Sequence, residues 1–187
     1  MPAPLPLTQD NSSGQPDRPL SGTYFFALGV EKNESIFGMV VDNRVVDNRV
    51  VDNRVVLNPV GEMVAALWRE IPDEFVGVRR DEFIVMPNHF HAAVEIDETP
   101  QAQMEPSYPH PPFLNEVIAV FKTRTKEKYL ESIRQMGWEI FNFRLWERGY
   151  FEREFTTPGK LEYARHYIRE NPVHWARDWE NLDWLEP

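Results

Sequence analysis

Between positions 89 and 96 the side chains alternate: Phe90, Ala92, Val94 and Ile96 fall on one side of an extended chain, and His89, His91, Ala93 and Glu95 on the other. This period of two is the signature of a β-strand, with one apolar face that packs and a second that carries the histidines. Phe83 to Met86 leads into it. Thr23 to Val30, aromatic and β-branched, predicts an earlier strand, followed by a hairpin from Ile36 to Leu57. Elsewhere the period is helical. Gly61 to Arg69 places Met63, Val64, Leu67 and Trp68 at helical spacing before Pro72 stops the run. Leu114, Val117, Ile118 and Phe121 open a longer stripe that continues towards Tyr129 and Ile133, and Phe141 to Phe151 predicts extended chain. A last helix has Thr157 as N-cap, Pro158 in its first position, a buried stripe of Leu161, Ala164 and Ile168, and Pro172 stopping it near Asn171.

Several stretches fit none of these patterns. Val40 to Arg54 is three copies of Val-Val-Asp-Asn-Arg, and Val55-Val56 begins a fourth. A five-residue period suits neither helix nor strand, whereas Asp-Asn turns the chain and Val-Val favours strand, so 40–56 is read as a hairpin expanded by duplication. Two copies span an even number of residues, so the flanking strands keep their faces with or without them. Residues 1–20 carry five prolines and no apolar core segment, and are expected to be a disordered leader. The proline-rich window 97–112 is expected to be a loop, and 176–187 an acidic tail containing Trp179 and Trp184. One folded domain, 21–175, remains.

Composition narrows the chemistry. The chain has 187 residues, 42% of them hydrophobic, enough for one substantial core. It lacks cysteine, which rules out disulfides, thiolate metal sites and a thiol nucleophile and fits a cytoplasmic setting. No apolar run is long enough to span a membrane. The net charge of −10 sits awkwardly with nucleic-acid binding, yet 117–160 holds nine basic and six acidic residues, so a local basic surface is compatible with the acidic total. Within it Lys122 with Lys126, and Arg124 with Lys128, form i,i+4 rows that serve either as a solvated face or as phosphate contacts.

The candidate chemistry starts at His89 and His91. Their Cα atoms should lie roughly 6.5 Å apart with both rings on one side, so the pair can converge on a metal ion or a phosphate, or be an ordinary His-x-His. On the last helix Tyr163, Tyr167 and Asn171 recur every four residues, projecting phenol and amide oxygen together. Two imidazoles and a carboxamide oxygen make a mixed N/O set suited to a divalent cation, and a nearby tyrosine could attack phosphorus. Equally, Tyr167 could be an amphipathic interface residue.

The chain resembles the single-tyrosine HUH transposases, and among them the REP-associated tyrosine transposases. The resemblance is carried by Tyr24-Phe25-Phe26, Ser35-Ile36-Phe37-Gly38, Leu57-Asn58-Pro59-Val60-Gly61 and Phe83-Ile84-Val85-Met86-Pro87-Asn88-His89-Phe90-His91. It continues through Phe121-Lys122, Leu145-Trp146-Glu147-Arg148-Gly149-Tyr150-Phe151-Glu152 and Tyr167-Ile168-Arg169-Glu170-Asn171-Pro172-Val173-His174-Trp175, spanning nearly all of 21–175.

The resemblance implies an α+β fold, a ferredoxin-like antiparallel sheet of about five strands with helices packed on it. It implies Mg²⁺ or Mn²⁺ held by His89, His91 and Asn171, with Tyr167 as nucleophile ahead of Tyr163 and Tyr150. The implied partner is single-stranded DNA with hairpin structure, nicked and rejoined through a 5′-phosphotyrosine. By analogy Lys122, Arg124 and Lys126 contact phosphates, and Trp146 and Tyr150 stack on bases. The expanded hairpin, the acidic total and the absence of a basic residue in Glu154-Phe155-Thr156-Thr157 depart from the family pattern. Two other functions remain open: a hairpin-binding protein that does not cut, and a metal hydrolase using the histidines with Glu95. Monomer and homodimer are both compatible with the resemblance.

Overall fold

The computed structural model describes residues 21–41, 54–97, 112–141 and 144–175. The leader, the middle of the repeat, most of the proline-rich loop and the acidic tail lie outside the described residues. Among the described residues six strands and three α-helices follow one another: β1 (Gly22–Gly29), β2 (Gly38–Val41), β3 (Arg54–Leu57), α1 (Pro59–Glu70), β4 (Val78–Val85), β5 (His89–Ile96), α2 (Leu114–Met136), β6 (Phe151–Phe155) and α3 (Pro158–His174). This is an α+β fold. The main sheet has four strands in the order β4-β5-β1-β6, all antiparallel, while β2 and β3 form a separate two-stranded sheet. The hairpin therefore lies apart from the sheet that the sequence led one to count as about five strands.

β1 and β5 are central, and their alternation sorts the core into two layers. Phe26 and Leu28 of β1, with Phe90, Ala92 and Val94 of β5, face α1 and α2. There the Trp68 ring lies 5.3 Å from Phe26, 5.4 Å from Phe90 and 5.2 Å from Phe121, edge-on to each, the arrangement that ring quadrupoles favour. On the other side Phe25, Ala27 and Ala93 pack beneath Ala164 and Ile168 of α3, with Phe151 of β6 beside them. Both faces are covered, so the histidine face of β5 is buried as well as the apolar one.

The helix ends follow their sequence signals in part. Asn58 caps α1, its Oδ1 accepting from the Val60 and Gly61 amides at 2.9 and 3.0 Å, with Pro59 in the first turn. α2 closes on Gly137, whose φ of 69° is the left-handed conformation that glycine adopts without strain. Thr157 holds the N-cap position of α3, but its hydroxyl makes no capping bond. Pro172 does not stop α3: the helix runs on to His174. A proline in the last turn removes a single amide, and Asn171 and Pro172 are both buried there, so packing outweighs the lost bond. The stretch expected to be extended from Phe141 becomes strand only at Phe151, because Leu145 and Trp146 turn inward. The Trp146 indole N–H donates to Thr125 Oγ1 at 2.8 Å.

Candidate active site beneath helix α3

Strand pairing places the histidines at the centre of the sheet, His89 opposite Gly29 and His91 opposite Ala27. Helix α3 lies over them, and its successive turns bring Tyr167 and then Asn171 down onto the pair. His89 and His91 are 0% and 1% exposed, Asn171 1%. The two imidazole centroids are 4.5 Å apart. Tyr167, half-buried, has its ring 5.4 Å from that of His91 and 6.0 Å from Phe25. Trp175, just past the helix end, is stacked 6.0 Å from His89. Four residues named from the sequence, separated by some eighty positions, thus share one cluster.

The hydrogen bonds define what the cluster can do. The Asn88 amide nitrogen donates to Asn33, at 3.0 Å to Oδ1 and 3.4 Å to the backbone oxygen, which turns Asn88 Oδ1 towards His89 Nδ1 at 2.7 Å. His89 Nδ1 must then carry the proton, and Nε2 presents a lone pair. Opposite it, 3.1 Å away, lies Asn171 Oδ1, also a lone-pair atom. Such a pair is satisfied by a proton on Nε2, by the opposite orientation of the Asn171 amide, whose Nδ2 then donates to His89, or by a metal cation between the two atoms. Two bonds of about 2.1 Å at a right angle separate their donors by about 3.0 Å, so the pair fits adjacent positions of an octahedral Mg²⁺ or Mn²⁺. Asn171 Nδ2 lies 3.5 Å from His91 Nδ1, too long for a strong bond. Among the described residues no third His, Asp or Glu joins the histidines in a metal-binding group, so a cation here would rely on the carboxamide and on water.

Residues that the sequence did not single out seat the tyrosine helix. A register shift between Arg80 and Phe83 frees Asp81 and Glu82 from regular pairing in β4. Asp81 receives Arg165 of α3 through both oxygens, at 2.9 Å to Oδ1 and 2.7 Å to Oδ2. One turn later Arg169 reaches Glu82 at 3.1 Å, and Glu162 bridges the two arginines. Burial pushes the Asp81 carboxyl up, but the Arg165 hydrogen bonds, the Glu82 amide and the nearby guanidinium charges together hold it below the usual carboxylate range. Tyr167 lies between the two anchored arginines. The Arg-x-x-x-Arg spacing was visible in the sequence; its acidic counterpart on β4 was not, since a bulge leaves no periodic mark.

The residues expected to touch DNA lie elsewhere. Lys122, Arg124 and Lys126 belong to α2, on the far side of the sheet from the histidines. Lys122 is bound by three carbonyl oxygens, of Glu147 at 2.8 Å, Gly149 at 3.0 Å and Arg148 at 3.4 Å, and desolvation lowers its pKa to about 8. Arg124 is paired with Glu74, and Lys126 is exposed. Trp146 is buried, with its ring 5.2 Å from Phe37 and 5.9 Å from Phe121. Tyr150 packs against the same core, and burial beside Glu152 pushes its phenol up to about 12. The structure brings none of these five to the His-Tyr cluster. Glu95, the carboxylate of the hydrolase reading, is four residues along β5 from His91, roughly 13 Å, and pairs with Arg79 at 2.7 Å.

No family model matches the chain. An uncharacterized protein of Haemophilus influenzae (strain Rd) is 28% identical over 163 residues, covering 84% of this chain and 83% of that one. Among solved structures, a REP-associated tyrosine transposase bound to a REP hairpin aligns with 86% of this chain and 73% of its own, at 14% identity and a TM-score of 0.49. A candidate transposase from Deinococcus radiodurans R1 aligns with 84% and 96% respectively, at 11% identity and a TM-score of 0.41. These are likenesses of overall shape to transposases, and the chemistry is argued below from the side chains of the site.

Proposed function

We propose that this protein nicks and rejoins single-stranded DNA carrying hairpin structure, with Tyr167 as the nucleophile and a divalent cation, Mg²⁺ or Mn²⁺, held by His89, His91 and Asn171. The observation that supports this reading most is the meeting of two imidazoles, a carboxamide oxygen and a phenol in one buried cluster built from β5 and α3. A hydrogen-bonded core histidine pair would need no tyrosine at its edge, and an interface tyrosine would need no imidazole and carboxamide converging beneath it.

In this reaction the phenol of Tyr167 gives up its proton and its oxygen forms a bond to phosphorus. The bond from phosphorus to the 3′ oxygen breaks, and that oxygen leaves as a hydroxyl after taking a proton. The phosphoryl group remains on Tyr167 as a 5′-phosphotyrosine, so the energy of the broken bond is kept and a 3′-hydroxyl can attack it to rejoin strands. The cation would act as a Lewis acid on the phosphate oxygens. His89 is held by Asn88 with Nε2 directed into the site, Asn171 supplies an oxygen from the same helix as the nucleophile, and the Arg165 and Arg169 contacts fix the height of that helix over the sheet. Incubation with labelled hairpin DNA and Mn²⁺ is expected to leave a denaturation-resistant protein-DNA adduct that Tyr167→Phe abolishes. Salt-sensitive hairpin binding without adduct would instead favour the non-cutting binder.

A further inference from the structure

Glu147 is an exposed residue on an unusually constrained backbone. Its amide donates to Gly29 O at 2.9 Å, its carbonyl accepts from the half-buried Lys122 ammonium at 2.8 Å, and its neighbour Trp146 is fixed in the core by the bond to Thr125. Three independent contacts hold the main chain of a residue whose side chain makes no contribution to the core.

Where that side chain goes follows from Gly29. This glycine ends β1 on the histidine side of the sheet, directly opposite His89. A Cβ at Gly29 would meet the Glu147 carboxyl carbon and Oε2 at 3.3 Å, and Glu147 Cγ at 3.6 Å. The carboxylate end is nearer than the stem, so the side chain reaches over β1 through the gap that the glycine leaves. Opposed residues on paired strands have Cβ positions roughly 5 Å apart, which puts the carboxylate within about one strand spacing of the His89 side chain. A separation of that order is one that ordered water can span.

Resting on the metal reading above, we infer that Glu147 is an outer ligand of the cation site: its carboxylate accepts hydrogen bonds from water bound to a divalent cation at His89 and Asn171. This supplies what the site lacks. Two neutral imidazoles and a neutral carboxamide give a dication no compensating negative charge, and a carboxylate one water away provides it without occupying a coordination position. The contacts of Lys122, Trp146 and Gly29 then share one purpose, to hold that carboxylate in place.

The test is the Mn²⁺ affinity of the full chain, followed from the paramagnetic resonance signal of unbound Mn²⁺, with the thermal midpoint without metal as the check on folding. Glu147→Gln is expected to weaken Mn²⁺ binding by about 10-fold or more at an unchanged midpoint. Gly29→Ala, which crowds the carboxylate out of its path, is expected to weaken it in the same direction. Glu147→Gln binding Mn²⁺ as tightly as the unaltered protein, while His89→Ala loses it, would overturn the role of Glu147 and leave the metal reading standing. An unaltered protein that binds no Mn²⁺ would overturn both.

Discussion

The two faces of the central sheet are built by the same strands and have opposite character. Towards α1 and α2, β1 and β5 present Phe26, Leu28, Phe90 and Val94 to a ring-on-ring core around Trp68 and Phe121. Towards α3 the same strands present Phe25, Ala27, His89 and His91, and the small apolar cluster there leaves room for imidazoles, a carboxamide and a phenol. One face carries most of the apolar burial; the other is held by a smaller cluster and by ion pairs at the sheet edge. The lesson is a division of labour within single strands. Because alternate residues face opposite layers, the stability of the scaffold and the chemistry of the site can be changed independently.

Breaking the large face should cost most. Phe90→Ala removes a fully buried ring and is expected to destabilise the protein by about 3–5 kcal/mol, read as a shift of the urea midpoint. Its neighbour in sequence should behave differently. His91→Ala is expected to change the urea midpoint far less than Phe90→Ala while reducing adduct formation at least 10-fold; equal losses of stability would erase the distinction between the faces. At the edge of the smaller face, Asp81→Asn weakens the seat of α3. A loss of about 1 kcal/mol is expected, discounted because Arg165 is about a third exposed, together with slower adduct formation.

The same contact has a pH signature. The Asp81 carboxyl is held below its unfolded value of 3.8, so its contribution is fully present above that value. It is lost as the pH falls through the lower folded value. Comparing Asp81→Asn with the unaltered protein, the stability gap should close below about pH 4; a gap that persisted at lower pH would show the carboxylate to be idle. The smallest effect belongs to Lys126, exposed on α2 and remote from the histidines. Lys126→Ala should leave stability within about 0.5 kcal/mol. If it nevertheless weakens hairpin binding, the DNA path extends over the face opposite the chemistry.

Much of this arrangement was legible in the sequence, for physical reasons that also mark where legibility ends. The alternation around His89 and His91 gave the strand and its faces, and Thr157-Pro158 marked the start of α3. Strand periodicity, however, records only that two faces exist. It does not say which helix covers which, so the basic stripe of α2 could not be assigned to the side away from the histidines. The family resemblance implied a stacking platform at Trp146, and aromatic residues look alike in sequence whether packed or exposed. Its bond to Thr125 depends on a contact twenty-one residues away. Asn88 and Asn33, which fix the orientation of His89, are fifty-five residues apart and leave no periodic trace. Pro172 misled in the other direction, since burial held the last turn of α3 that a proline alone would break.

The central claim is that the phenol on α3, and not the histidine pair alone, performs the bond-breaking step. Mass-spectrometric mapping of the protein after reaction with hairpin DNA and Mn²⁺ tests it most directly. A nucleotide attached through a 5′-phosphate to the peptide containing Tyr167, absent from Tyr167→Phe, is the predicted result. Cut DNA released without any covalent intermediate, or an adduct on Tyr163 or Tyr150, would contradict it.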